Sequence, residues 1–240
     1  MISLMRYQLS NYARTYQYVP PFSIFILCLV INYTFVPNPI LDSFSFTSII
    51  LFFLMGWFTV TLFHSEDEGQ KKITILHANG STPYNVSLFI INIVIAFSLS
   101  FVSIIYPVVI HAFAEKPSFI HLFLGFFAHF TLATLGMALS ALFTRDLVKN
   151  KQNTWWGVIS VLLFAIVLAT LKDSLDQLNG LIWVLPPVHL SLEMLAIGDQ
   201  ITSIPSKFYW QFAWILVYAG FVITLFFLLS KLKRKSEPPV

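Results

Sequence analysis

Long apolar runs, each near the length that crosses a bilayer, constrain this chain more than any other feature. About 20 residues of helix are needed to cross ~30 Å of hydrocarbon. Runs of that order fall near residues 19–36, 44–63, 84–111, 118–143, 155–171 and 209–230. Of the 240 residues 57% are hydrophobic and 10% charged, against about 25% charged in a soluble domain. The expected fold is an all-α polytopic membrane protein with six transmembrane helices. The single cysteine, Cys28, lies inside an apolar run and supports neither a disulfide framework nor a metal site. A net charge of +3, spread over loops, gives no reason to expect nucleic acid as a partner.

Between the second and third runs lies a polar island, HSEDEGQKKITILHANGSTPY, from His64 to Tyr84. Ser65 and Glu68 have the spacing of a capping box. Glu66, Asp67 and Glu68 suit the positive end of a helix dipole, with Lys71 and Lys72 a turn further on. Asn79-Gly80 supplies a left-handed stop, and Thr82-Pro83 restarts a helix with Thr82 as N-cap. The prediction is a short helix over roughly residues 66–78, bent back into the membrane. Three consecutive acids point in different directions on a helix, so a cap and solvated face is favoured over a metal site.

Ahead of the first run, Ile2, Met5, Leu9, Tyr12 and Tyr16 recur at spacings of three and four, while Arg6, Gln8, Ser10 and Arg14 point elsewhere. Residues 1–18 are therefore expected to form an amphipathic interfacial helix, broken from the first span by Pro20-Pro21. No cleaved signal peptide is expected. Counting Lys and Arg by side gives 11 on the side of both termini, the 64–83 island and the 144–154 loop, against 3 on the other. That asymmetry predicts cytoplasmic termini and a cytoplasmic polar helix. Trp155 and Trp156 would mark the inner interface, and Trp183, Tyr209 and Trp210 the outer one.

In the fourth run Gly125, His129, Ala133, Gly136 and Ser140 share one helical face, which lets a neighbouring helix approach closely. His129 falls near mid-membrane. It is either a residue of a functional pathway or a neutral histidine bonded to the next helix. His111 and His121 are expected at the outer interface, and Pro107 is expected to kink the third span. Residues 172–208 are too long for a turn, and Asn179-Gly180 and Pro186-Pro187 cut them into short apolar pieces. These pieces are expected to lie on or dip into the outer leaflet, as a lid or as a plain connector.

Several kinds of chemistry are missing from the sequence. There is no GxxxxGK[ST] phosphate loop, no GxSxG elbow, no HExxH or CxxC, and no Asp or Glu for a proton relay within the six runs as placed, beginning with 19–36. The sequence shows no clear internal repeat of the kind found in many secondary transporters. An energy source must come from another chain, or transport is passive.

The combination of an N-terminal interfacial helix, six spans, an acid-rich helix after the second span and broken pieces before the sixth resembles the ABC-2 type permeases. These are the membrane subunits of bacterial ATP-binding-cassette exporters. Locally, Glu66-Asp67-Glu68-Gly69 leading through Ile73, Ile75 and Leu76 to Ser81-Thr82-Pro83 is similar to that family's acidic-Gly start, apolar helix and final proline. Gln70 stands where the family commonly has threonine, and Asn79, Gly80 and Ser81 extend the turn.

The resemblance implies one transmembrane domain over residues 1–240: an interfacial helix (1–18), spans one and two (19–63), a coupling helix (64–83), spans three to five (84–171), outer broken helices (172–208), and a sixth span with a basic tail (209–240). It implies that Glu66, Asp67, Glu68, Lys71, Lys72, Ile73 and Leu76 couple to a separate ATPase subunit. One apolar edge, Ile73 with Leu76 or Ile75 with Ala78, would meet that partner. ATP and Mg would bind the partner, with no cofactor, metal or catalytic residue in this chain. The chain would pair as a homodimer or with a second permease in the bacterial cell membrane, with His129, Gly125 and Gly136 serving pathway or helix packing. Phe-rich spans (25 Phe in all) suit a lipophilic or amphipathic cargo. The first expectation is a small antimicrobial or toxic peptide, exported or cleared for immunity. The alternative from another class is an ATPase-independent channel or sensor.

Overall fold

The computed structural model describes residues 1–171 and 185–236, with side chains to residue 234. Among the described residues the regular elements are helices: α1 (Ile2–Thr15), α2 (Val19–Asn32), α3 (Ile40–Phe63), α4 (Glu68–His77), α5 (Ser81–Val109), α6 (Phe119–Ala141), α7 (Lys151–Thr170), α8 (Val188–Leu195) and α9 (Ser206–Ser236). Helices α3, α5, α6, α7 and α9 are each long and apolar enough to cross a membrane. The chain is thus a multi-pass membrane protein, all-helical in its described residues, which hold five such helices, or six when α1 and α2 count as one broken span.

The first span differs from expectation. α2 stops at Asn32 after 14 residues, about 21 Å of helix, and residues 33–39 form no part of it. The bend of 78° between α1 and α2 is not made by the proline pair. Pro20 and Pro21 lie in the first turn of α2, where an absent N–H leaves no bond unmade. The turn comes earlier, at Tyr16, which takes a left-handed φ of 54°. Nor does Pro107 bend the middle of α5. It falls in the last turn, two residues before the helix ends at Val109.

α3 and α6 form the centre. In each, 67% and 72% respectively of the most apolar window is buried within the chain, against 22% for α7 and 28% for α9. The small-residue stripe of α6 meets α3 directly. At Gly136 an added methyl group would stand 2.4 Å from the carbonyl oxygen of Phe52, and at Gly125 2.6 Å from the Phe44 ring. α8 packs beside this pair with Val188, Met194 and Leu195 fully buried. Ser191 donates to the carbonyl of Ala128, in the middle of α6, at 3.3 Å. The described part of the 172–208 stretch therefore enters the helical core. Residues 172–184, including Trp183, Asn179-Gly180 and the start of the Leu181–Leu185 piece, lie outside the described residues.

Candidate functional site

α4 is a ten-residue helix, about 15 Å long, set where α3, α5 and the α6–α7 loop end. The expected capping box is not the device that starts it. Ser65 donates back to Leu62, and Glu68 is the first helical residue. Asp67 is the N-cap instead, its carboxylate accepting from the Gln70 N–H at 2.8 Å. The stop is as the sequence implies. Asn79 has φ 58° and Gly80 φ 125°, and the Gly80 N–H closes onto the Ile75 carbonyl at 2.9 Å, a Schellman arrangement. Gly80 then serves as N-cap of α5, so Thr82 and Pro83 sit inside its first turn.

One long side of α4 is fastened to the rest of the protein. Lys71 pairs with Asp146 of the α6–α7 loop, and its ammonium stands 5.4 Å from the centroid of the Tyr84 ring. The Asp146 backbone carbonyl takes a bond from Lys233 on α9 at 2.9 Å. Gln70 donates to the Tyr7 hydroxyl of α1 at 2.6 Å. Ile75 and Ala78 pack on the apolar core. Beneath the helix, His64 accepts the Arg145 N–H through Nε2 at 2.9 Å. Helix α1 is held to the same face by a residue that lies off its apolar stripe in the sequence. Gln8 is buried; its amide donates to the Tyr84 carbonyl at 3.3 Å and accepts from the Ser87 hydroxyl at 2.5 Å.

Burial governs the charges of this cluster. His64 is pushed down to about 4 by burial, with the Arg145 and Lys71 charges acting the same way, so it is neutral at neutral pH and suited to accept. Burial raises Glu66, and Thr74, Arg145 and Lys71 oppose the rise. Burial lowers Lys71, against the pull of Asp146. Glu66 is buried with one carboxylate oxygen unpartnered. Of the seven residues tied to coupling in the sequence, Glu66 and Lys71 therefore face inward and Asp67 caps the helix. Glu68, Lys72, Ile73 and Leu76 are exposed.

The free side of α4 carries Ile73 at 59% and Leu76 at 76% exposure. Beside it a groove of about 560 Å³ runs between α4 and the start of α1, lined by Leu4, Tyr7, Ile73 and His77 among others.

Asp146, Arg145, His64 and Tyr84 had no place in the sequence-based site. The usable signal was Asp146, the only acid in a loop otherwise rich in Lys and Arg. His129 sits apart from this face. It is fully buried in α6, with Nδ1 donating to the Gly125 carbonyl at 2.7 Å and Nε2 at 2.8 Å from the Thr47 hydroxyl of α3. Nδ1 thus bonds within α6 and Nε2 reaches across to α3, so both ring nitrogens are engaged and the imidazole links the two helices. His121, in the first turn of α6, is buried within the chain and donates to the Asp199 carbonyl at 2.9 Å, while His111 is exposed. No group of three metal-ligating side chains occurs among the described residues.

No known protein family, curated protein or solved structure matches the chain. Fold and site together define a multi-pass helical membrane protein with a fastened, half-exposed helix between two of its crossing helices.

Proposed function

We propose that this chain is the membrane-spanning subunit of an ABC exporter, of the ABC-2 permease type, driven by an ATPase carried on a separate polypeptide. The observation that supports it best is the two-sidedness of α4. Ile73 and Leu76 are presented outward, while Lys71, Ile75 and Ala78 bind the helix to the bundle. A push on the outer edge is then passed to α1 through Gln70, to α9 through Asp146, and to α5 through Tyr84. ATP and Mg act on the partner. Closure of two ATPase subunits draws two such helices together and rocks the spans between inward- and outward-open states. Glu68 and Lys72 on the exposed rim set docking register more than affinity.

In this reading the termini and α4 are cytoplasmic, as the 11-to-3 distribution of Lys and Arg suggests, and the membrane is that of a bacterial cell. The lightly buried α7 and α9 leave apolar surface for a second permease, identical or a sister chain. The cargo is lipophilic or amphipathic, first a small antimicrobial or toxic peptide, for export or self-immunity.

Copurification in mild detergent tests the proposal. Tagged protein should bring down a nucleotide-binding subunit, and Leu76→Asp should abolish that association at unchanged expression. A chain that runs alone and acts without nucleotide would instead be a channel or a sensor.

A further inference from the structure

A second concavity, of about 630 Å³, opens on the flank of the bundle where α1, α2 and α5 meet. Its walls include Leu9 from α1, Phe22 from α2, and Ile91 and Val94 from α5, with Phe58 of α3 buried at the floor. The polar groups that line it are mostly spoken for. Ser98 bonds the Val94 carbonyl at 2.8 Å, and the Tyr12 hydroxyl is bonded to Thr61 at 2.8 Å. Tyr18 makes a ring contact with Tyr12, and Arg6, which borders the cleft from α1 with its hydrocarbon stem, is exposed and belongs to a helix with no acidic residue.

We propose that this cleft binds one anionic phospholipid, with an acyl chain in the groove and the phosphate on Arg6. The bend of 78° between α1 and α2 lays α1 across the direction of the crossing helices. Arg6 is thereby held at headgroup level, while the groove descends along α5 from Ile91 to Ser98, about 10 Å of helix. A cation at the rim of an apolar slot that runs into the hydrocarbon matches a lipid end to end. Anionic headgroups recruit basic side chains at the membrane surface. The bound lipid ties the α1–α2 elbow to α5. The inference does not rest on the exporter reading, since it requires membrane insertion alone.

The test is lipid retention by the full chain after detergent extraction from vesicles of equimolar phosphatidylglycerol and phosphatidylcholine, read by mass spectrometry of the intact complex. Wild type should keep one phosphatidylglycerol in preference to phosphatidylcholine. Arg6→Gln should lower that preference about fivefold, the weight of one cation at an anionic surface. Arg14→Gln, which removes a cation from the same helix outside the cleft, should leave it intact. Ser98→Trp should expel the lipid by filling the deep end. Equal retention of the two lipids by wild type, or equal loss from Arg6→Gln and Arg14→Gln, would overturn the proposal.

Discussion

Lys71 on α4 and Asp146 in the α6–α7 loop form an ion pair across 75 residues of sequence. Both side chains are largely withdrawn from solvent, at 12% and 16% exposure. A pair in that setting is sensitive to loss of one partner, because the other is left charged and poorly hydrated.

Lys71→Met should therefore loosen α4 more than a surface substitution would, on the order of 2 kcal/mol. Hydrogen exchange of the α4 amides should rise in the variant while those of α3 and α6 stay protected. Lys71→Met with Asp146→Leu should recover part of the loss, since the orphaned carboxylate is gone. An unchanged exchange pattern in the single variant would show that Gln70, Ile75 and Ala78 hold the helix without the pair.

His64 gives the same face a defined response to acid. Its folded value near 4 lies below the ordinary 6.5, so the unfolded chain binds the proton first. The stability it contributes is complete above about pH 6.5 and falls as pH drops toward 4, by at most ~3 kcal/mol at 1.36 kcal/mol per unit. Arg145, Lys71 and Lys151 add to that depression and Asp146 opposes it. Glu66 acts in the other sense. Its raised value favours the folded state at low pH and loses that advantage as pH rises. His64→Gln keeps an acceptor for the Arg145 N–H and should flatten the thermal-melt profile between pH 4 and 6.5.

On the opposite end of the bundle, Asp199 does the work of a missing cap. α3 begins after Pro39, which offers no side-chain acceptor. The Asp199 carboxylate takes the N–H of Ile40 at 2.7 Å and of Leu41 at 2.9 Å. Asp199→Ala should cost about 1–2 kcal/mol, the usual range for a lost N-cap, and expose those two amides to exchange. Asp199→Asn retains one acceptor and should fall between.

What could be read from the sequence is what depends on near neighbours or on bulk hydropathy. The Asn79-Gly80 stop, the short helix before it and the five long apolar helices all follow from residues within a few positions of one another. The inward side of α1 does not. Gln8 lies off the apolar stripe of α1, yet α5 supplies it with the Tyr84 carbonyl and the Ser87 hydroxyl, partners 76 and 79 residues away. The start of α4 differs from the expected capping box for a local reason. Ser65 and Asp67 are both good N-caps, and the choice fell to Asp67 once Ser65 turned back onto Leu62. The division of the coupling residues into buried Glu66 and Lys71 and exposed Ile73 and Leu76 likewise required the α6–α7 loop to be in place.

Gly136 tests the central pair. An added Cβ would meet the Phe52 carbonyl oxygen at 2.4 Å and its carbonyl carbon at 3.2 Å. These are backbone atoms of a helix, so α3 and α6 must move apart to accept it. Gly136→Ala should destabilise by roughly 1–3 kcal/mol, the range for an overfilled core, and should lower the unfolding midpoint in detergent. At Gly125 the nearest atoms belong to the side chains of Phe44 and Ile104. Rotation can relieve part of that overlap, so Gly125→Ala should cost less. Gly220→Ala in α9 meets nothing within 4 Å and should be neutral or slightly stabilising through helix propensity. Equal effects at all three positions would mean that helix flexibility, rather than the close approach of α3 to α6, is what these glycines provide.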